Sequence, residues 1–192
     1  MRQIVKSILP FLTNNEVNVL LSENLLSQVQ LNKGKNLLHE GEVCNHIYFI
    51  IKGSIRQFGV KDGEEINFLF YFDGDYVFDE PSFYNKSYSK YFFMALENTS
   101  LIKFEKSIFE YLKDNHNFSE FLFKLSKMNV LRLYKRNEVL LMNTPEERYL
   151  KLLEIHPKIV KKISLAKIAS FIGIAGPSLS RIRRRLTRGQ FS

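Results

Sequence analysis

The 192-residue sequence has one cysteine, Cys44, and no tryptophan, and it has no apolar run of the roughly 18 residues that a membrane-spanning helix needs. A lone cysteine excludes an internal disulfide and any metal or iron–sulfur site that needs several thiolates from one chain. The N-terminal segment also lacks the plan of a signal peptide. We therefore expect a cytoplasmic protein that has no membrane partner.

Acidic residues are missing from the last fifth of the chain. Residues 155–192 contain nine Lys or Arg and no Asp or Glu, which leaves 19 basic and 20 acidic side chains in the other 154 residues. The formal net charge of +8 is therefore concentrated at one end. This asymmetry predicts a separate module that binds a polyanion.

The basic stretch Lys162–Arg188 has the pattern of two short helices joined by a turn. Ser164 is a candidate N-cap for the first helix, and Gly173 suits the left-handed position that closes it. Gly176-Pro177 predicts the cap and first residue of the second helix. The first helix repeats its apolar residues at helical spacing: Leu165, Ile168 and Ile172.

The second helix has two chemically different faces. The apolar stripe consists of Leu179, Ile182 and Leu186. The opposite face and its flank carry Ser178, Ser180, Arg181, Arg184, Arg185 and Arg188. We interpret the pair as a helix-turn-helix whose second helix enters the major groove of DNA. The alternatives are a solvated basic helix and a helix on a membrane surface, but the latter needs large exposed apolar residues, and this stripe is narrow.

Each polar residue of this element has an expected role. Arg181 and Arg184 are predicted to contact base edges, with Ser180 assisting, because guanidinium groups fork onto guanine. The predicted phosphate contacts are Ser178, Arg185, Arg188 and Lys167.

Residues 25–104 have the texture of strands. Apolar or aromatic runs of four to eight residues alternate with turn signals such as Lys61-Asp62-Gly63, which predicts an all-β barrel or roll. The predicted strands are KNLLHEGE, HIYFIIKG, SIRQFGV, EINFLFYF and SLIKF. Residues 1–24 instead show two short helical patterns, the second after a Thr13–Glu16 capping box.

The segment Leu37–Gly53, LLHEGEVCNHIYFIIKG, resembles the opening signature of cyclic-nucleotide-binding β-rolls. The signature consists of an apolar pair, a Gly-acid step, a small residue, four apolar residues and a closing glycine. Cys44 occupies the small position, which favours a buried core residue over a reactive thiol. With the helix-turn-helix behind it, almost the whole chain resembles the Crp/Fnr family of transcription regulators.

This resemblance implies an α+β fold with an antiparallel β-roll (a double-stranded β-helix), flanking helices, a long dimerisation helix and a C-terminal helix-turn-helix domain. It also implies three partners, namely double-stranded DNA, a second copy of the chain and RNA polymerase. No resident cofactor is expected. The family's Arg-Glu pair at the start of the recognition helix is replaced by Gly176-Pro177, so the family's usual half-site is not assumed.

The effector pocket is where the chain departs from nucleotide-binding members of this family. There, a Phe-Gly-Glu step and a downstream Arg-Ser/Thr-Ala motif hold the ribose and cyclic phosphate. The matching positions here are Phe78, Asp79, Glu80, Ser82, Ser89, Lys90 and Tyr91. Asp79 replaces the glycine, Ser89 the phosphate-binding arginine and Tyr91 the small alanine. We predict that cyclic AMP is not the effector and that the pocket holds another small molecule or none.

Lys106–Asn143 predicts a long helix from about Asn117, with apolar residues on more than one side. Such a helix needs more than one partner, which favours a homodimer over a monomer core helix. A Thr144–Glu147 capping box with Pro145 then begins a new helix. The predicted domains are 1–116 for the N-terminal helices and β-roll, 117–143 for the dimerisation helix, and 144–192 for the DNA-binding domain.

Catalytic motifs are not found. The four histidines are scattered, and the sequence has no phosphate-binding glycine loop and no nucleophile elbow. We therefore expect neither an enzyme nor a metal site. Two alternatives stay open, a β-roll that senses a ligand without binding DNA and a cupin-like metal enzyme.

Overall fold

The structure is a computed structural model that describes residues 1–157 and 159–189. Its helices are α1 Arg2–Ile8, α2 Asn14–Ser22, α3 Glu80–Asn85, α4 Ser107–Tyr111, α5 His116–Met142, α6 Pro145–Ile155, α7 Ile159–Lys162, α8 Leu165–Phe171 and α9 Gly176–Gly189. Its strands are β1 Leu26–Leu31, β2 Asn36–Leu38, β3 His46–Lys52, β4 Ser54–Lys61, β5 Glu64–Phe72, β6 Tyr76–Val77, β7 Phe92–Ala95 and β8 Thr99–Glu105.

The strands form two four-stranded sheets, in the orders β1-β8-β3-β6 and β2-β7-β4-β5. Strand β8 is antiparallel to both of its neighbours, pairing Leu26 with Phe104 on one side and His46 with Glu105 on the other. Apart from the β4–β5 hairpin, neighbouring strands in both sheets are not consecutive in the chain, as in a roll. The predicted fold class, an antiparallel β-roll with flanking helices and a long helix, is confirmed.

The chain divides into two compact units. The first contains Met1–Arg56 and Phe70–Met128. Its core is apolar and joins the roll to the N-terminal helices and to the first half of α5. Cys44 is 4 % exposed within this unit, as expected of a small core residue.

The second unit contains Gln57–Leu69, which is the tip of the β4–β5 hairpin, together with the chain from Asn129 onward. Helix α6 of this unit begins at the predicted capping box. Thr144 N–H donates to Glu147 Oε2 at 2.8 Å, and Glu147 N–H donates to Thr144 Oγ1 at 3.4 Å. The hydrogen bonds that Thr144 N–H and the Thr144 hydroxyl donate to the Glu147 carboxylate lower the pKa of that carboxyl.

Several elements differ from the sequence expectations. The predicted strand KNLLHEGE shortens to the three residues of β2, and Gly41 beyond it has a φ of +83° that no strand residue adopts. Strands β1, β6 and β7 and helix α3 were not predicted. Strand β6 has two residues and β7 has four, which is too short for a periodic pattern to be recognised.

Candidate nucleic-acid interface and effector pocket

The turn between α8 and α9 has the geometry that its glycine predicted. Gly173 has a φ of +66° and follows the end of α8. Ile174 N–H donates to Ala169 O at 3.0 Å and Gly173 N–H donates to Ser170 O at 3.3 Å, which together form a Schellman motif. The turn therefore satisfies the last carbonyls of α8 and redirects the chain into α9.

The starts of the two helices compare differently with the sequence expectations. Ser164 is the N-cap of α8, as predicted, with an extended backbone, although its side chain makes no capping hydrogen bond. The expectation for α9 was wrong. Helix α9 begins at Gly176, and Leu179 N–H donates to Ala175 O at 3.1 Å, so Ala175 rather than Gly176 caps the helix.

The predicted apolar stripes of α8 and α9 are buried. Their buried members, each at most 5 % exposed, are Ile168, Ala169, Ile172, Leu179 and Ile182. Leu165 and Leu186 are half-buried. Burial of one face fixes which face of α9 meets solvent, and that face is the basic one.

The exposed face of α9 carries Ser180, Arg181 and Arg184, as predicted, and also Arg183. Ser178 and Lys167 are half-buried. Arg188 lies in the last turn of α9, but its side chain is outside the described part of the chain. Among the residues that the structure describes, Arg181 and Arg184 have no ion-pair partner, so both guanidinium groups are available to an external anion.

Arg185 differs from the other arginines because it forms an ion pair with Glu146 in the first turn of α6. The same two side chains share a hydrogen bond between Arg185 Nη2 and Glu146 Oε2. A DNA phosphate would have to replace this carboxylate, so Arg185 is a poorer candidate for a contact with the DNA backbone than its sequence position indicates.

Arg148 is a residue of this unit that the sequence did not single out. Its Nε donates to Asn143 O at 3.0 Å, and its Nη1 donates to Ile172 O at 3.3 Å. These bonds connect the end of α5 to the end of α8. Arg148 thus sets the position of the helix-turn-helix relative to the second half of the long helix.

Two of the predicted effector residues, Ser82 and Ser89, already form hydrogen bonds within the protein. Ser82 Oγ accepts from Cys44 N–H at 2.8 Å and donates to Ser87 O at 2.6 Å. Ser89 Oγ donates to Tyr91 O at 3.0 Å and accepts from Tyr91 N–H at 3.1 Å. Each hydroxyl hydrogen is donated to a backbone carbonyl, so neither hydroxyl can donate to a phosphate in this conformation.

The charges in this region also disfavour a cyclic phosphate. Asp79 is 5 % exposed and lies immediately before α3, while Glu80 begins that helix. Lys90, the one cation of the predicted set, is exposed. A buried carboxylate beside an anion costs free energy that an exposed lysine does not offset.

A cavity of about 250 Å³ lies in the first unit. Its walls include Phe78 from the predicted set, and otherwise Leu37, Leu38, Glu42, Val43, Cys44, Asn45, His46, Tyr48, Val77 and Phe93. Burial raises the pKa of Tyr48 to about 12 and also raises that of the Cys44 thiol, so both groups are neutral at physiological pH.

Within residues 1–157 and 159–189, no cluster of three or more His, Cys, Asp or Glu could hold a metal ion. None of the helices in that part of the chain is long and apolar enough to cross a membrane.

Comparison with known proteins identifies both the domain and the fold. Residues 28–116 match the cyclic nucleotide-binding domain family. FixK2 from Bradyrhizobium japonicum superposes with a TM-score of 0.73 at 18% identity, covering 85% of this chain and 86% of that one. TTHA1359, a Crp/Fnr-family transcriptional regulator from Thermus thermophilus, superposes with a TM-score of 0.71 at 16% identity, covering 85% and 87%.

A third similar structure is CLP of Xanthomonas campestris, described as a c-di-GMP-responsive global regulator. It has a TM-score of 0.70 at 12% identity and covers 87% of this chain and 89% of that one. No curated protein sequence matches the chain significantly. The predicted resemblance is thus confirmed: residues 28–116 match the cyclic nucleotide-binding domain family, and the chain has the fold of solved Crp/Fnr transcriptional regulators.

Proposed function

We propose that this chain is a transcription regulator that binds a two-fold symmetric DNA site as a homodimer in the cytoplasm. The observation that carries the proposal is α9, which is buried on one face and presents Arg181 and Arg184 to solvent on the other. A helix of this kind at the end of a helix-turn-helix fits the major groove, where guanidinium groups can fork onto guanine. RNA polymerase is the further partner that such a regulator requires.

The homodimer is supported by the surface of α5. Large apolar side chains lie exposed along it at intervals of seven and four residues, which is compatible with the seam of a two-stranded coiled coil. The seam residues are Phe123, Val130, Tyr134 and Leu141, at 70%, 61%, 68% and 80% exposure. An exposed apolar stripe of this length marks an interface, and a second copy of the same helix is complementary to it.

The β-roll acts in this proposal as a sensor or a scaffold, not as an enzyme. Its 250 Å³ cavity is lined by apolar side chains, by the neutral Tyr48 hydroxyl and Cys44 thiol, and by the polar side chains of Glu42, Asn45 and His46. An effector at this place would be small and would carry both apolar and polar groups. The predicted pocket residues include no buried cation that could bind the cyclic phosphate of a nucleotide.

The test of DNA binding is selection of bound duplexes from random-sequence or genomic DNA. We expect a palindrome whose half-sites are about one helical turn, roughly 34 Å, apart, because the dimer axis repeats α9 at that spacing. Affinity should fall steeply with salt as phosphate counterions are released. Recovery of no preferred sequence, with binding indifferent to salt, would favour a ligand sensor that does not bind DNA.

Replacement of Arg181 by alanine should weaken binding to the selected site by about 1–3 kcal/mol and relax the preference at one base pair. Non-specific binding should change much less, because the variant loses only one of the positive charges that attract the DNA phosphates. The matched control is Arg2→Ala, which removes the same charge from the N-terminal helix. Fluorescence anisotropy with the selected duplex and a scrambled one measures both effects. Equal losses on the two duplexes would refute base reading by Arg181.

Cyclic AMP at millimolar concentration should leave the melting temperature of the protein unchanged. A ligand that binds the native state and is present at 100 times its Kd would raise the free energy of unfolding by about 2.7 kcal/mol, which a thermal scan detects easily. The hydroxyls of Ser82 and Ser89 are occupied by backbone partners, so we expect no such gain. An upward shift of several degrees would show that the pocket rearranges to accept the nucleotide.

A further inference from the structure

The tip of the β4–β5 hairpin is acidic and belongs to the same compact unit as the helix-turn-helix. Strands β4 and β5 meet in a tight turn at Asp62 and Gly63, which both have positive φ. Glu64 and Glu65 follow, and both are exposed. We call Asp62, Glu64 and Glu65 the acidic tip.

The edge of β5 next to this tip is hydrogen-bonded to α8. Strand β5 ends its sheet, so alternate backbone groups have no neighbouring strand. Asn67 N–H donates to Ser170 Oγ at 2.9 Å, and Ser170 Oγ donates to Glu65 O at 2.9 Å. One serine hydroxyl of α8 therefore takes the place that a partner strand would occupy.

Arg136 of α5 holds the same junction from the other side. Its guanidinium lies 4.8 Å from the ring centroid of Phe68 in the hairpin and 5.3 Å from that of Phe171 in α8. Its Nη2 also lies 3.5 Å from both Asn67 O and Phe171 O. A cation between two aromatic rings is a favourable contact, so the hairpin, α5 and α8 are joined at one point.

This junction, which we call the latch, places the acidic tip beside the DNA-facing side of the helix-turn-helix. Gly63, Glu64 and Glu65 line one side of a cleft, and its other side includes Lys167 of α8 and Gly176 at the start of α9. In a helix-turn-helix the first helix crosses the DNA backbone and the start of the second enters the groove. Carboxylates at this place repel the phosphates that would have to approach it.

We propose that the acidic tip is an intramolecular competitor of DNA: in the latched conformation it holds the recognition helix in a weakly binding state, and release of the latch restores affinity. This inference rests on the proposed function, because it concerns access to the same helix. The contacts that hold the latch include two hydrogen bonds through the Ser170 hydroxyl and two from the Arg136 guanidinium, which also stacks on two aromatic rings.

Two kinds of variant test the proposal on the full-length protein. Ser170→Ala removes both hydrogen bonds of the β5 edge, and Glu64→Gln with Glu65→Gln removes two charges of the tip. The matched control for the charge change is Glu23→Gln with Glu110→Gln, because these two exposed carboxylates lie in the first unit. Affinity for a random-sequence duplex is measured by fluorescence anisotropy as a function of salt. Hydrogen exchange at the Asn67 amide reports directly whether the latch is closed.

We expect Ser170→Ala to accelerate exchange at Asn67 and to tighten DNA binding about tenfold, as the loss of two hydrogen bonds from the closed state predicts. The charge variant should tighten binding by about the same factor beyond its control. Unchanged or weaker binding together with faster exchange would overturn the inference and leave the proposed function standing. A complete lack of DNA binding in the wild type and in every variant at low salt would instead overturn the proposed function, and the inference with it.

Discussion

Replacement of Gly53 by alanine is expected to lower the free energy of unfolding by about 3–5 kcal/mol, enough to unfold much of a marginally stable protein. Gly53 has a φ of +126°, a backbone conformation that L-residues rarely adopt. A Cβ atom built there would lie 2.5 Å from Thr99 Oγ1 and 2.8 Å from Thr99 Cα. The second atom is backbone and cannot rotate away, so β3 and β8 would have to separate.

The matched control for this prediction is Gly63→Ala in the β4–β5 turn. Gly63 also has a positive φ, of +80°, but no atom lies within 4 Å of the Cβ position. Alanine there carries the conformational cost alone, about 1–2 kcal/mol. Chemical denaturation of the two variants separates backbone strain from steric overlap. If both variants lose the same stability, the contact with Thr99 is not what selects glycine at residue 53.

Gly53 also shows why the β-roll could be predicted from the sequence. It is the closing glycine of the segment Leu37–Gly53, and the structure gives it a physical reason, namely close approach to Thr99 at a positive φ. Similar local rules allowed other parts of the fold to be predicted from the sequence. Both capping boxes, at Thr13 and Thr144, need a particular side chain three residues later, so sequence spacing is sufficient to find them.

The contacts that position the helix-turn-helix could not be predicted in the same way. Arg148 and Arg136 donate to backbone carbonyls, and Ser170 bonds to a backbone amide and a backbone carbonyl of β5. Every residue has a backbone carbonyl, so a contact with one does not require a particular residue type in the partner. The sequence therefore shows no complementary side chain from which the contact could be predicted. The partners are also 24 to 105 residues apart in the chain, beyond any helical or strand period.

The ion pair of Arg185 with Glu146 illustrates a different limit. Helical projection places Arg185 on the flank of the basic face, and the projection is correct, since the side chain is 68% exposed. What the projection omits is the neighbouring helix α6, which supplies the carboxylate. The arginines of α9 are therefore not equivalent: Arg181 and Arg184 face solvent without an ion-pair partner among the described residues, whereas Arg185 helps to join α9 to α6.

Replacement of Val130 by aspartate should dissociate the homodimer and weaken binding to a two-half-site duplex by about a thousandfold, to the level of non-specific binding. Val130 is 61% exposed in the single chain and lies in the middle of the α5 seam, seven residues from Phe123 and four from Tyr134. In the proposed dimer the two copies of residue 130 face each other, so aspartate would place two carboxylates in an apolar interface. The folded subunit should survive, because the valine is not part of its core.

Sedimentation equilibrium measures the dissociation, and anisotropy with one-site and two-site duplexes measures its effect on DNA binding. Ser119→Asp is the control, since it adds the same charge to an exposed position in the first turn of α5, outside the seam. The variant monomer should keep its weak affinity for a single half-site, because α9 and its arginines are untouched. The variant loses only the connection between its two recognition helices, and with it the gain in affinity from binding both half-sites at once. A Val130→Asp protein that stays dimeric would show that another surface joins the subunits; a monomeric variant with full affinity would show that one α9 is sufficient to read the site.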